Sequence, residues 1–153
     1  MAEHFHSYAD TIETPIKLSV VVGRCPSWYA PGVLLLGDAA HPMSPIRAQG
    51  INVALRDVIV AANHLVPLFH AQAGHEEIDA ALSRIQAERE PEIIRAQQLQ
   101  MQEAAQGELL RKNALIRWLL IQLAPLLRQT IRYSWLKRQY EMRQGITQVH
   151  LSV

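Results

Sequence analysis

Residues 37–57 constrain this chain more than any other stretch. They read GDAAHPMSPIRAQGINVALRD. The apolar run 33–36 (VLLL) stops at Gly37, Asp38 follows at the strand's end, Pro42 and Pro45 bound a loop, and Gly50 opens an apolar helix. Gly37 and the alanines Ala39 and Ala40 permit close backbone approach, and Asp38 offers two acceptor oxygens to hydroxyl groups. The helix's first turn, at Gly50, Ile51 and Asn52, leaves backbone N–H groups unpaired at the positive end of its dipole. Strand end, loop and helix start together make a place for a polar, partly anionic ligand.

The remaining pattern is mostly helical. Residues 16–22 (IKLSVVV) are rich in β-branched side chains and read as a strand, joined to the one at 33–36 by the loop RCPSWYAPG. Apolar positions 51, 54, 55, 58, 62 and 65 follow helical spacing up to Pro67, almost all round the helix, so this helix is expected to be buried and to stop at that proline. A long helix over about 76–111 carries Ile78, Leu82 and Ile85 on one face and is expected to kink or split at Pro91. Two further helices, about 113–123 and 130–143, are separated near Pro125 and ended by Gly145. Val149, Leu151 and Val153 alternate in the tail, the spacing of a short terminal strand. The outline is an α-rich α/β chain: a short antiparallel strand pair, a ligand-contacting loop with a buried helix, and a helical C-terminal region. At 153 residues one sizeable core is attainable and two full domains would be crowded.

A formal net charge of +1 argues against a nucleic-acid partner. The charge is unevenly spread: residues 1–106 carry 7 basic and 12 acidic side chains, residues 107–153 carry 8 and 2. A basic, apolar, helical C-terminal third suits peripheral contact with an anionic membrane surface or an acidic partner. The N-terminus lacks the pattern of a secretory signal, and the longest apolar run, 114–127, is interrupted and shorter than the roughly 20 residues that span a bilayer. The single cysteine, Cys25, makes no internal disulfide, which points to a reducing, cytoplasmic setting.

The 37–57 stretch resembles the second flavin-contacting motif of the FAD-dependent aromatic hydroxylases, the para-hydroxybenzoate hydroxylase-like monooxygenases. That motif runs Gly-Asp-Ala-Ala-His, then Pro, Gly, Asn and a later Asp, and Gly37 to His41, Pro45, Gly50, Asn52 and Asp57 fall on it in register. The resemblance covers residues 16–67 well. It implies FAD as cofactor, NAD(P)H as reductant, and hydroxylation of a small organic, aromatic substrate with O2. It implies that Asp38 bonds the hydroxyls of the ribityl chain, that Pro45 lies against the isoalloxazine ring, that the backbone at Gly50, Ile51 and Asn52 faces the ring's N1 and C2 carbonyl, and that Gly37, Ala39 and Ala48 also belong to the cofactor site. No side chain is assigned a catalytic role, since the flavin carries the oxygen chemistry. Ala48 stands where the family has glycine, a methyl group tolerated if its φ is negative, and Arg47 beside it is expected near the ring or turned to solvent.

The family's GxGxxG motif does not occur in the sequence. The resemblance therefore implies a fragment of a FAD/NAD(P)-binding Rossmann-type fold without its dinucleotide-binding βαβ unit. Residues 1–36 would be the strand-containing end of the substrate domain, 37–67 the second FAD-contacting motif and helix, and 68–153 a helical C-terminal region. An N-terminal Rossmann half or a homodimer is the implied partner. The competing reading is a non-catalytic helical interaction module, or a truncated product, whose basic C-terminal helices bind a partner protein or membrane surface.

Other candidates have plainer readings. His4 and His6 form a solvated end rather than a metal site, His41 packs or hydrogen-bonds within its loop, and Cys25 is a buried or half-buried thiol. Trp118, Tyr133, Trp135 and Tyr140 read as core or interface, with Leu119, Leu120, Leu123 and Leu127 packing the C-terminal helices onto the rest.

Overall fold

The computed structural model describes Tyr8, Thr11 and residues 20–153. Two short strands, β1 (Tyr29–Ala30) and β2 (Val33–Leu34), precede three helices, α1 (Gly50–His70), α2 (His75–Lys112) and α3 (Ala114–Gln144). The strands pair antiparallel, Tyr29 opposite Leu34 and Ala30 opposite Val33. Pro31 and Gly32 join them, the residue pair that suits a type II turn. The strand at 33–36 thus finds its partner inside the expected loop, because so short a turn closes at less entropic cost than a distant pairing. Residues 16–19 of the expected first strand lie outside the described residues, and 20–22 form no strand.

Helix limits depart from expectation at Pro67 and Pro125, and α2 is not split at Pro91. Pro67, Pro91 and Pro125 all lie inside continuous helices. A proline removes one backbone donor and crowds the preceding turn, but well-formed helix on its N-terminal side fixes the dihedrals that the next residues inherit. α1 therefore runs on to His70, α2 is one 38-residue helix, and the two expected C-terminal helices are the single α3.

The core forms where α1 crosses α2. Val60, Ala61, Leu82 and Ile85 make one cluster, with Leu34, Leu36, Leu65 and Val149 packed against it. Trp28, Ala40, Met43, Val53 and Ile93 make the other, flanked by Cys25, Leu35 and Ala96. α1 is only half buried: Val53, Asp57, Val60 and Ala61 face inward, whereas Ile51, Leu55 and Val58 are 76%, 58% and 52% exposed. By length and composition this helix resembles a membrane span, yet its inward face belongs to the core. The tail forms no strand. It is instead held by the Asn63 side chain, whose Nδ2 donates to the His150 carbonyl (2.7 Å) and whose Oδ1 accepts from Ser152 N (2.8 Å).

α2 also secures the long loop before α1, through buried glutamines. Gln86 accepts from Trp28 N (2.9 Å) and donates to the Pro26 carbonyl (3.1 Å). Gln97 donates to the carbonyls of Gly23 (2.6 Å) and Pro42 (3.3 Å), and Gln100 donates to those of Ser44 (3.0 Å) and Ile46 (3.1 Å) while accepting from Ser44 N (3.1 Å). These bonds satisfy backbone groups that a loop without a sheet leaves orphaned.

Trp28, fully buried, is the largest side chain in the core. Replacing it with alanine removes the filling of the first cluster, and Trp28→Ala is expected to cost about 3–5 kcal/mol of unfolding free energy, read by urea denaturation followed by circular dichroism.

Candidate functional site

Gly37–Ala39 forms a 3-10 turn directly after β2, closed by Ala40 N and His41 N donating to the Gly37 carbonyl (3.0 and 2.8 Å). Gly37 has φ +57, and a Cβ there would lie 3.1 Å from the Ala54 Cβ of α1. The close approach that this glycine permits is therefore between the turn and α1.

Beneath the turn lies a buried charge network. Asp57, fully buried on α1, accepts from Gly37 N (3.1 Å), His41 Nε2 (2.7 Å) and Arg89 Nε of α2 (2.8 Å). Arg89 also bonds Glu92, which Arg56 reaches through Nε (2.7 Å) and Nη2 (3.0 Å). Thr147 Oγ1 donates to the same carboxylate (3.2 Å), which ties the tail into the network. Gly145, at φ +77, has no room for a Cβ beside Glu92 and Arg56. Burial pushes the Asp57 carboxyl pKa up, but the hydrogen bonds and charges of His41 and Arg89 outweigh it and leave the pKa below the ordinary aspartate value. Because an ionised carboxylate only accepts, His41 Nε2 carries the proton in this pair. Its ring also packs on Trp28, with centroids 4.9 Å apart.

Above the turn, on the outer side, opens a cleft of about 440 Å³. Val20 and Val21 form one wall, Asp38 and the 42–45 loop another, and Ala48, Gly50 and Ile51 the third. Asp38 is exposed and keeps both carboxylate oxygens free of protein partners among the described residues. Its Oδ1 lies 4.0 Å from where a Cβ on Gly50 would stand, so acceptor and helix start are neighbours. α1 begins at Gly50 with no side-chain cap. Gln49, which holds the capping position, instead donates to the Arg47 carbonyl (2.8 Å) and accepts from Asn52 Nδ2 (3.1 Å). Among the described residues the first-turn N–H groups of α1 thus have no capping side chain, and the cleft presents a free anionic acceptor next to backbone donors at the positive end of a helix.

Of the candidate residues, Asp38, Pro45, Ala48, Gly50 and Ile51 line this cleft, whereas Gly37, Ala39 and Asn52 do not. Gly37 is the buried first residue of the turn, and Asn52 is exposed on α1 with its side chain on Gln49. Ala48 has φ +50 and Arg47 φ +66, so the negative φ under which the methyl group is tolerated does not hold. The family's glycine position is a left-handed position here, and alanine occupies it with strain. The Arg47 guanidinium turns neither to the cleft nor wholly to solvent: its Nε donates to Glu103 Oε2 (2.8 Å), and that carboxylate raises its already high pKa. Cys25 is half-buried, its Sγ 3.5 Å from the Ala39 carbonyl. His4 and His6 lie outside the described residues.

Arg89, Glu92, Gln97 and Gln100 escape sequence reading because charged and amide side chains on a helix normally mark its solvated face. The signal present is their spacing: 82, 85, 89, 93, 97 and 100 recur every three or four residues, with 86 and 92 beside them, one continuous stripe.

A family model described as an FAD binding domain matches residues 17–97. The chain is 36% identical over 104 residues, 63% of its length, to a 6-methylpretetramide 4-monooxygenase of Streptomyces rimosus, of which it covers 24%. It is 33% identical over 76 residues, 49% of its length, to a kynurenine 3-monooxygenase of Stenotrophomonas maltophilia, of which it covers 15%. A kynurenine 3-monooxygenase of Cryptococcus neoformans is 30% identical over 108 residues, with 60% of this chain and 21% of that protein covered. The chain thus spans a quarter or less of the length of these relatives. No solved structure matches it.

Two outcomes follow from the site's construction. Asp57→Asn leaves Arg89 without its buried counter-charge and is expected to cost about 3–5 kcal/mol in chemical denaturation. Since the folded pKa of Asp57 is the lower one, its stabilisation is complete above the unfolded value of about 4 and is lost as pH falls through the folded value, so the acid limb of the stability profile flattens in the Asn variant. Ala48→Gly relieves a left-handed alanine and is expected to raise stability by about 1 kcal/mol, and an unchanged or lower denaturation midpoint would contradict that backbone geometry.

Proposed function

The chain belongs to the FAD binding domain family, and from that premise we propose that it supplies the ribityl- and ring-contacting part of the flavin site of an FAD-dependent monooxygenase. The observation that carries this reading is the cleft in which a free Asp38 carboxylate, the Pro45 loop and the uncapped start of α1 meet. These residues fit the cofactor. Asp38 is placed to accept from ribityl hydroxyls, Pro45 and Ile51 offer apolar contact to a planar ring, and the N–H groups at Gly50 and Ile51 favour the electron-rich edge of that ring.

The bound flavin would supply the redox and oxygen chemistry, with NAD(P)H as reductant and an organic, aromatic compound as substrate. The chain's own share is to bind, orient and exclude water. Its relatives are named for monooxygenation of 6-methylpretetramide and kynurenine, and their names support an oxygenase acting on a small organic molecule. His41, buried and bonded to Asp57, holds the turn and takes no part in the chemistry.

The pyrophosphate and adenosine of FAD require a second element, because the sequence holds no GxGxxG turn. We place that element in a dinucleotide-binding unit outside the described residues. The exposed α1 stripe of Ile51, Leu55 and Val58, beside the cleft, is the surface it would cover. One of two distant contact regions must alone offset the immobilisation of a flexible dinucleotide, so the 153-residue chain is expected to purify colourless and bind FAD no tighter than about 0.1 mM, or about −5.5 kcal/mol.

Co-expression with a Rossmann-bearing N-terminal half of a related monooxygenase is the direct test. Restored yellow colour is expected, with Asp38→Ala weakening FAD binding by about 1.5–3 kcal/mol in that assembly. An assembled complex that stays colourless, or an Asp38→Ala variant with unchanged FAD affinity, overturns the reading.

A further inference from the structure

α3 is a helix without a place in the core. Among its described side chains only Gln139 is buried, and none of the apolar ones is. The leucines expected to pack it down are open to solvent, with Leu119, Leu120, Leu123 and Leu127 each between 40% and 43% exposed. Its hold on α2 is polar: Arg95 Nη2 to Glu141 Oε2 (2.6 Å), Arg138 Nη1 to Gln106 Oε1 (3.0 Å) and Gln139 Nε2 to Glu103 Oε1 (3.5 Å).

Two ordered stripes run along the uncovered surface. Leu115, Leu126, Tyr133 and Tyr140 are 65%, 82%, 72% and 58% exposed, and their spacings of 11, 7 and 7 residues return to nearly the same angle on a helix of 3.6 residues per turn. Arg117, Arg128, Arg132 and Arg143, at spacings of 11, 4 and 11, fall together on a second, separate stripe. Trp118, 56% exposed, lies between the two. Arg128, Arg132 and Arg143 have no ion-pair partner among the described residues, nor does Lys137 on another face of the helix, and the only acid of α3, Glu141, is already taken by Arg95.

We propose that α3 lies on an anionic lipid surface, its Leu115–Leu126–Tyr133–Tyr140 stripe in the headgroup and upper acyl region and its arginine stripe on lipid phosphates. Charge decides the occupant. A second copy of this helix would bring two arginine rows together with no acid between them, whereas the phosphates of an anionic bilayer neutralise the exposed Arg128, Arg132 and Arg143. Tryptophan, tyrosine and arginine beside leucine are the side chains that suit the boundary between headgroups and hydrocarbon, and α3 carries all four along its 31 residues. The proposal stands apart from the flavin reading, since none of these residues lines the Asp38 cleft.

The test is flotation of the full chain with unilamellar vesicles of phosphatidylcholine and phosphatidylglycerol (3:1), and of phosphatidylcholine alone. Expected are co-flotation with the anionic vesicles only, release by 0.5 M salt, and quenching of tryptophan emission by brominated acyl chains. Because Trp28 is fully buried, quenching reports on Trp118 and Trp135. Arg128→Glu with Arg132→Glu, both on the solvent side of α3, should weaken partitioning at least about tenfold with the helical circular dichroism retained. The wild-type lipid and salt dependence stands by itself if that variant fails to fold. Failure to float with the anionic vesicles, equal binding to neutral vesicles, or tryptophans shielded by a concentration-dependent dimer in their absence overturns the proposal. Salt-sensitive capture by polyglutamate without vesicle binding assigns the face to an acidic protein instead and also overturns it.

Discussion

Everything that presents the cleft depends on one buried carboxylate. Asp57 receives a backbone N–H from Gly37, the imidazole of His41 and the guanidinium of Arg89, and so joins the two ends of the Gly37–His41 turn and the long helix α2 to α1. A lone carboxylate in that position would cost several kcal/mol of desolvation. Here Asp57 and Glu92 face Arg89 and Arg56, so the buried acids and guanidiniums balance and every carboxylate has donors. The consequence for function is geometric. Asp38 follows Gly37 immediately, and its carboxylate faces the cleft because the residue before it is held from below.

The residues that carry this arrangement were legible in part. The order of glycine, aspartate, prolines and a second glycine in 37–57 marked a turn, a loop and a helix start, and α1 does begin at Gly50. Asp57 belonged to the same motif, but nothing in its spacing announced a partner on α2, because Arg89 and Glu92 sit 32 and 35 residues further on and read as solvated charges. Tertiary pairing of that kind leaves only a periodicity, and the stripe 82, 85, 86, 89, 93, 97, 100 mixes apolar, charged and amide residues. A hydrophobic pattern follows its first two members and then loses it.

Two expectations failed for physical reasons of their own. Pro67 was read as a helix stop, Pro91 as a kink or split and Pro125 as a break between two helices. The helix nonetheless runs through each of them, because it is already nucleated on the proline's N-terminal side and tolerates one missing donor and a crowded turn. The strand partner of 33–34 was sought in the β-branched run 16–22, whereas a Pro-Gly turn made 29–30 the nearer partner. The hairpin that results is too short to bury a face. The loop from 20 to 49 is therefore held by side chains of α2, where Gln86, Gln97 and Gln100 supply the donors and acceptors that a sheet would otherwise give.

The approach to α1 shows how such holding permits strain at a binding surface. Arg47 and Ala48 both take positive φ, a conformation that costs an L-residue roughly 1–2 kcal/mol, and consecutive residues of this kind persist only where the surroundings over-determine them. The surroundings here do. Gln100 takes the Ile46 carbonyl, Gln49 takes the Arg47 carbonyl, Glu103 takes the Arg47 side chain, and Ala48 N donates to the Pro45 carbonyl. Each contact draws on a group other than the first-turn N–H groups of α1. The strained turn therefore brings the chain into the helix without a capping side chain, and the donors at Gly50 and Ile51 stay on the side of the cleft where Asp38 waits with its own oxygens free. Glycine at 48 would reach the same turn at lower cost, so the alanine is a burden that the anchoring side chains of α2 carry, and the shape of the cleft is set by those anchors as much as by the motif residues that line it.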